Sequence, residues 1–177
     1  TLATRFRPIT GTIRSWDNNS DKWAYPVIID NMMNLELLFA ATQLTSDSSF
    51  YKIAVTHANT TMKNHYRPDN SSYHVVDYDS LTGNVVKKST HQGYADESAW
   101  ARGQAWGLYG FTMAYRETKN KTFLEHAERI ATYILHHPNM PKDLVPYWDF
   151  NAPGIPAEPR DASAAAVIAS GLYELST

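Results

Sequence analysis

The residue most suggestive of chemistry is Asp30, set inside the apolar run Val27-Ile28-Ile29-Asp30-Asn31-Met32-Met33. A carboxylate there is expensive to bury unless it is paired or protonated. A nearby helix N-terminus favours the anion, whereas apolar neighbours favour the neutral acid. A carboxyl group held between those pulls suits proton transfer near neutral pH; the alternative is that Asp30 only caps or bonds a neighbouring loop. Arg102 and Trp106 are four residues apart on a helical stretch and share a face. A guanidinium beside an indole can hold a carboxylate bidentately while a sugar ring packs nearby, or Arg102 forms a surface salt bridge with Asp96 or Glu97. His74 and Gln92 are further polar candidates, although a lone His is more often structural. No two His residues have a metal-ligand spacing on a helix, and there is neither a glycine-rich phosphate loop nor a nucleophile elbow. No metal or cofactor is expected.

The elements that must position these residues are mostly helices. Ile29, Met33, Leu37, Leu38, Ala41 and Leu44 recur at helical spacing. They predict a helix from Pro26, which a first turn tolerates, to Thr45, with Asp30 on one face beside Val27, Met33, Asn34 and Leu37. A second helix is expected from Ser49 to Tyr66, stopped by Arg67-Pro68. Tyr73 to Tyr78, the turn Leu81 to Asn84, and Val85 to Lys88 read as a β-hairpin. Helical spacing returns from Ser98 to Thr118 and from Lys121 to His136. Gly103, Gly107 and Gly110 share one face of the first of these. Each costs about 1 kcal/mol of helix propensity, which close helix approach or substrate clearance would explain. A proline-punctuated loop from Pro138 to Pro159 carries Tyr147-Trp148-Asp149-Phe150, and loops of that length are uncommon without a function. A last helix starts from the cap Asp161 and runs from Ala162 to Leu175. The opening, Thr1 to Trp23, reads as a loop with one short strand around Thr12 to Trp16. The fold class is therefore all-α, helix hairpins packed side by side, with a small β-hairpin inserted.

Composition removes several function classes. The chain has 177 residues, 16 basic against 18 acidic, for a net charge of −2. No basic stripe exists to neutralise phosphates, so nucleic acid is not an expected partner. No apolar run reaches a membrane span. With no cysteine, disulfides and thiolate metal sites are excluded. Five Trp and eleven Tyr supply rings that fill a helical core or stack on sugars. Glycosylation sequons begin at Asn18, Asn59, Asn70 and Asn120. They favour a secreted or extracellular protein, with a cytoplasmic one as the alternative.

Several ordered blocks resemble the unsaturated glucuronyl hydrolases, glycoside hydrolase family 88. They are Tyr25 to Leu35, His91 to Gly107, Val145 to Pro153 and Arg160 to Ala166, and together they span most of the chain. The resemblance implies an (α/α)6 barrel of helix hairpins, present here only in part. It also implies an unusual hydrolysis, which hydrates the C4–C5 double bond that a polysaccharide lyase leaves on the non-reducing uronic acid. By position in the motif, Asp30 is the family's acid/base residue. His74, Gln92, Trp100, Arg102 and Trp106 match its substrate-binding residues. Arg102 would hold the uronate carboxylate, Trp100 and Trp106 would wall the sugar, and His74 and Gln92 would orient ring and water. The family's second important Asp belongs to a segment that would precede Thr1, and further helices would lie at both ends. Residues 1–177 are thus expected to form one partial barrel domain. Either the chain is a fragment, or a second polypeptide or self-association completes the barrel and covers its apolar faces, or it is a shortened relative with another task. The rival functional expectation is a non-catalytic carbohydrate-binding or interaction protein that uses Trp100, Trp106 and Trp148.

Overall fold

The computed structural model describes residues 2–18 and 21–177. The apolar run ahead of Asp30 is a strand, Pro26–Ile28, and not the first turn of a helix, which starts at Asn31. Branched Val27 and Ile28 suit a pleated backbone, and Pro26 takes the first strand position, where a missing N–H is tolerated. Numbered along the chain, β1 (Phe6–Arg7) and β2 (Thr12–Ile13) form a small antiparallel pair. The expected hairpin, β4 (Val75–Tyr78) and β5 (Val85–Ser89), is joined by β3 (Pro26–Ile28) in a three-stranded antiparallel sheet of order β3-β4-β5. Val27 lies opposite Val76 and Ile28 opposite Val75. One step further, the Ile29 N–H donates to the His74 carbonyl at 3.0 Å. The sheet therefore delivers Asp30 and His74 to the same place.

The helices are α1 (Asn31–Thr45), α2 (Ser48–Asn64), α3 (Ala101–Thr118), α4 (Lys121–His136) and α5 (Ala162–Leu175). Three have side-chain N-caps that satisfy first-turn N–H groups: Asp47 for α2, Asn120 for α4 and Asp161 for α5. α1 packs on α2 and α3, and α3 packs also on α4 and α5. The shared core holds Met32, Leu35, Leu108, Phe111, Phe123, Ile130 and Ile134. Because α1 starts at Asn31, its buried stripe is Met32, Leu35, Leu38 and Phe39. Leu37 and Leu44, expected on the inner face, are 65% and 85% exposed. No helix of the described residues is long and apolar enough to cross a membrane.

The glycines of α3 serve packing. A Cβ on Gly110 would fall against the Met32 side chain and 3.1 Å from its carbonyl carbon, and one on Gly107 would meet the Tyr66 hydroxyl. Backbone cannot yield as a flexible side chain does, so Gly110→Ala is expected to cost about 2 kcal/mol. Urea-unfolding midpoints of the two proteins check this.

Among the sequons, Asn59 is exposed on α2 with Thr61 buried, Asn70 has a φ of 68° with Ser72 buried, and Asn120 caps α4. The sequon at Asn18 runs through Asn19 and Ser20, which lie outside the described residues.

Candidate active site

Asp30 occupies the N-cap position of α1 and makes no capping hydrogen bond with its side chain. That removes the reading of Asp30 as a mere cap. Its Oδ2 stands 3.8 Å from His74 Nε2, with the Asp30 side chain 18% exposed. Neither atom has a hydrogen-bond partner among the described residues. The separation is too long for a direct hydrogen bond, but one oxygen set beside the pair can reach both. Burial pushes the Asp30 carboxyl from 3.8 up to about 6, against weaker pulls from its own backbone N–H and from the Arg102 charge. Desolvation thus prevails over the helix terminus, and the group gains and loses its proton near neutral pH.

His74 is buried at the start of β4. Its Nδ1 faces the N–H groups of His91 and Gln92, each at 3.2 Å. Its ring stacks on Trp100, with centroids 4.4 Å apart and planes at 30°. Burial drives its pKa down to about 3, helped by the charges of His91, His65 and Arg102. His74 is therefore neutral where Asp30 titrates, and the two are not an ion pair.

Arg102 joins the same cluster from the first turn of α3. Nη1 lies 3.4 Å from Asp161 Oδ2, and Nη2 lies 3.5 Å from Gln92 Oε1. The expected alternative partners are engaged elsewhere, Asp96 with Lys87 at 3.3 Å and Glu97 with Arg67 at 3.4 Å. Asp161 is a partner 59 residues along the chain, buried because it also caps α5. Both Arg102 contacts are long, so the guanidinium keeps donors for an incoming carboxylate. Trp100 is only 3% exposed. Its ring supports His74 and lies 5.1 Å from the Arg102 guanidinium carbon. Trp106 is half-buried one turn further along α3. The structure thus brings Asp30, His74, Gln92, Trp100 and Arg102 together at the starts of α1, β4 and α3.

Comparison with known proteins gives this cluster a context. Over its full length the chain is 56% identical to an unsaturated glucuronyl hydrolase of Formosa agariphila, of which it covers 44%. It superposes on the crystal structure of an unsaturated glucuronyl hydrolase specific for heparin with a TM-score of 0.96 at 57% identity, over 99% of this chain and 47% of the other. The enzyme of Bacillus sp. GL1, described as responsible for the degradation of glycosaminoglycan, gives 0.91 at 40% identity over 98% and 46%. The chain is a homologue of the unsaturated glucuronyl hydrolases. It spans about half the length of the curated relatives it matches. The five α-helices of the described residues accordingly correspond to part of the (α/α)6 barrel that unsaturated glucuronyl hydrolases share. No family model matches the chain.

Several residues that support this cluster carry no local sequence signal. Buried Gln104 accepts from the Ser72 N–H at 2.9 Å and donates to the Ser72 hydroxyl at 3.0 Å, fixing the approach to His74 from α3. Trp16 and Trp23 meet edge-on at 5.3 Å, and His91 packs 5.7 Å from one and 5.5 Å from the other. The opening segment thereby adds an aromatic shoulder next to Gln92. Trp148 is turned to another use, since its Nε1 donates to Glu158 at 2.8 Å within the long loop.

Proposed function

We propose that this chain carries the acid/base site of a hydrolase that releases the unsaturated uronic acid from the non-reducing end of lyase-generated oligosaccharides. Asp30 protonates C4 of the vinyl ether, leaving cation character at C5. Water, deprotonated by the same carboxylate, adds at C5, and the resulting hemiketal collapses to free the next sugar. No second carboxylate displacement is involved, unlike ordinary glycosidases. The observation that carries the proposal is the Asp30 carboxyl, pushed up to about 6 by burial, facing the Nε2 of a neutral histidine 3.8 Å away. Arg102 binds the uronate carboxylate, with Gln92 beside it.

The relatives frame the substrate class. One solved relative is specific for heparin and another degrades glycosaminoglycan. Unsaturated glycosaminoglycan disaccharides are the proposed substrates, with heparin-derived ones first. The test is loss of the double bond's ultraviolet absorbance on incubation with such disaccharides. Binding without any loss of absorbance would replace the hydrolase reading with that of a carbohydrate-binding protein. Arg102→Ala is expected to raise KM about 30-fold, the equivalent of about 2 kcal/mol for a charge-assisted contact, with kcat little changed. Arg102→Lys restores little, because an ammonium lacks the two-pronged geometry. Initial rates over a range of substrate concentration separate the two parameters.

A secreted, glycosylated protein is proposed from the four sequons. Cover for the exposed Leu37, Leu44 and Tyr173 by a second polypeptide or by self-association is proposed as well.

A further inference from the structure

The long loop contributes a buried acid that the chemistry above does not use. Asp149 is fully buried on a stretch that runs antiparallel to the start of α3. There the Phe150 N–H donates to the Ala99 carbonyl and the Ala101 N–H to the Trp148 carbonyl, both at 3.0 Å. Asp149 Oδ1 accepts from the Asn151 N–H at 2.9 Å. Its Oδ2 accepts from the Tyr94 N–H at 2.9 Å and from the Ser98 hydroxyl at 2.7 Å. Ser98 Oγ accepts in turn from the Ala95 N–H at 3.0 Å, and Thr90 Oγ1 accepts from the Gly93 N–H at 2.7 Å. A Cβ on Gly93 would stand 3.1 Å from Asp149 Oδ2, so the loop is drawn down onto this carboxyl group. The two N–H groups immediately before Gly93, those of His91 and Gln92, are the ones aimed at His74 Nδ1.

The Thr90 hydroxyl, which accepts from Gly93, lies 3.4 Å from the same Nδ1 with its own proton free to point there. A ring nitrogen that faces two N–H donors presents its lone pair, which places the imidazole proton on the other nitrogen. We propose that Asp149 is a positioning residue that, by anchoring the loop of residues 90–98, holds His74 as the neutral tautomer with its proton on Nε2, directed at Asp30. The catalytic meaning of this device rests on the proposed function; the tautomer itself does not. The groups around His74 act in the same direction. Arg102 on α3, His91 in the loop and His65 at the end of α2 all disfavour a charged ring, and among the described residues Asp30 is the acid that faces it, at 3.8 Å. With Nδ1 occupied by the loop, His74 donates to an oxygen bound beside Asp30 and never takes its proton.

The test is a long-range proton–nitrogen correlation spectrum of the full chain at pH 7, comparing the two ring nitrogens of His74. The expected result is one bare and one protonated nitrogen, the protonated one being Nε2. Asp149→Asn puts an NH2 where an acceptor is required, and Ser98→Ala removes a single donor at little cost to folding. In both, the split between the two nitrogen shifts is expected to shrink as tautomers mix, while the thermal melt stays cooperative. An Nδ1–H or charged ring in the unsubstituted chain would overturn the proposal, as would an undiminished split in the Ser98→Ala protein. Because no turnover is measured, a chain that fails to consume unsaturated disaccharide yet shows the expected spectrum defeats the hydrolase reading alone.

Discussion

Asp30→Asn is expected to abolish turnover of unsaturated disaccharides and, in the same protein, to raise the melting temperature at pH 7. The loss is of the order of 10^4-fold, the upper end for a single general acid or base, because in the proposed reaction one carboxyl group both gives the proton to C4 and takes one from water. The gain follows from burial. The folded group titrates at about 6 against 3.8 when unfolded. Below 3.8 it is protonated in both states and costs nothing; above 6 it is ionised in both, and the fold bears a cost of about 3 kcal/mol. Asn mimics the neutral acid, so at pH 7 the variant should melt roughly 5–10 °C higher. The difference should vanish near pH 3.5. Calorimetric scans at the two pH values decide the matter. Equal melts at pH 7 would mean that the carboxylate is well solvated, and the acid/base assignment would lose its physical basis.

Acid should destabilise the fold steeply, and for the opposite titration. His57, His65, His74 and His126 are buried neutral, with desolvation taking their pKa values from 6.5 to about 3, 4, 3 and 4. His57 Nδ1 accepts from the Ile13 N–H at 3.0 Å, and the His126 ring stands edge-on to Tyr66 at 4.2 Å. Among the described residues no carboxylate compensates a proton at either site. The stability these rings confer is complete above 6.5 and is lost as pH falls toward 3–4, since the unfolded chain takes up the protons first. At pH 5 each costs about 2 kcal/mol. Their sum is comparable to the whole stability of a typical domain, roughly 5–15 kcal/mol. Relief at Asp30 over the same interval returns only about 1 kcal/mol. Urea midpoints at pH 7.5 and pH 5 measure the slope. A change of less than about 2 kcal/mol would mean that the rings reach water before the chain unfolds.

How much of this was legible beforehand follows the range of the interactions involved. α4 and α5 can be read to the residue, because Asn120 and Asp161 cap them and their apolar spacing is regular. The start of α1 cannot be read in this way. Val27-Ile28-Ile29 satisfies a helical and a pleated pattern equally, and only β4, almost fifty residues away, makes it a strand. Distance hides the site's supports too. Asp161 beside Arg102, Gln104 beneath Ser72 and Asp149 under the loop are all pairings between remote segments. Asp30, Arg102 with Trp106, His74 and Gln92 stand out as candidates by type and setting, whereas Trp100 and the roles assigned to all of them come only with the family resemblance.

The β3–β4 pairing has a consequence for how such a chain tolerates change in length. Since Ile29 bonds to His74 as the last rung of a ladder, the gap between acid and imidazole is a matter of counting residues, not of side-chain fit. Insertions at the exposed tip around Leu81 lie beyond the ladder's far end and leave the count intact. Deleting one residue between Tyr25 and Asp30 would turn every following side chain of that strand to the opposite face. Length variation in this stretch should therefore be the least tolerated, although of its residues only Asp30 has a part in the proposed reaction.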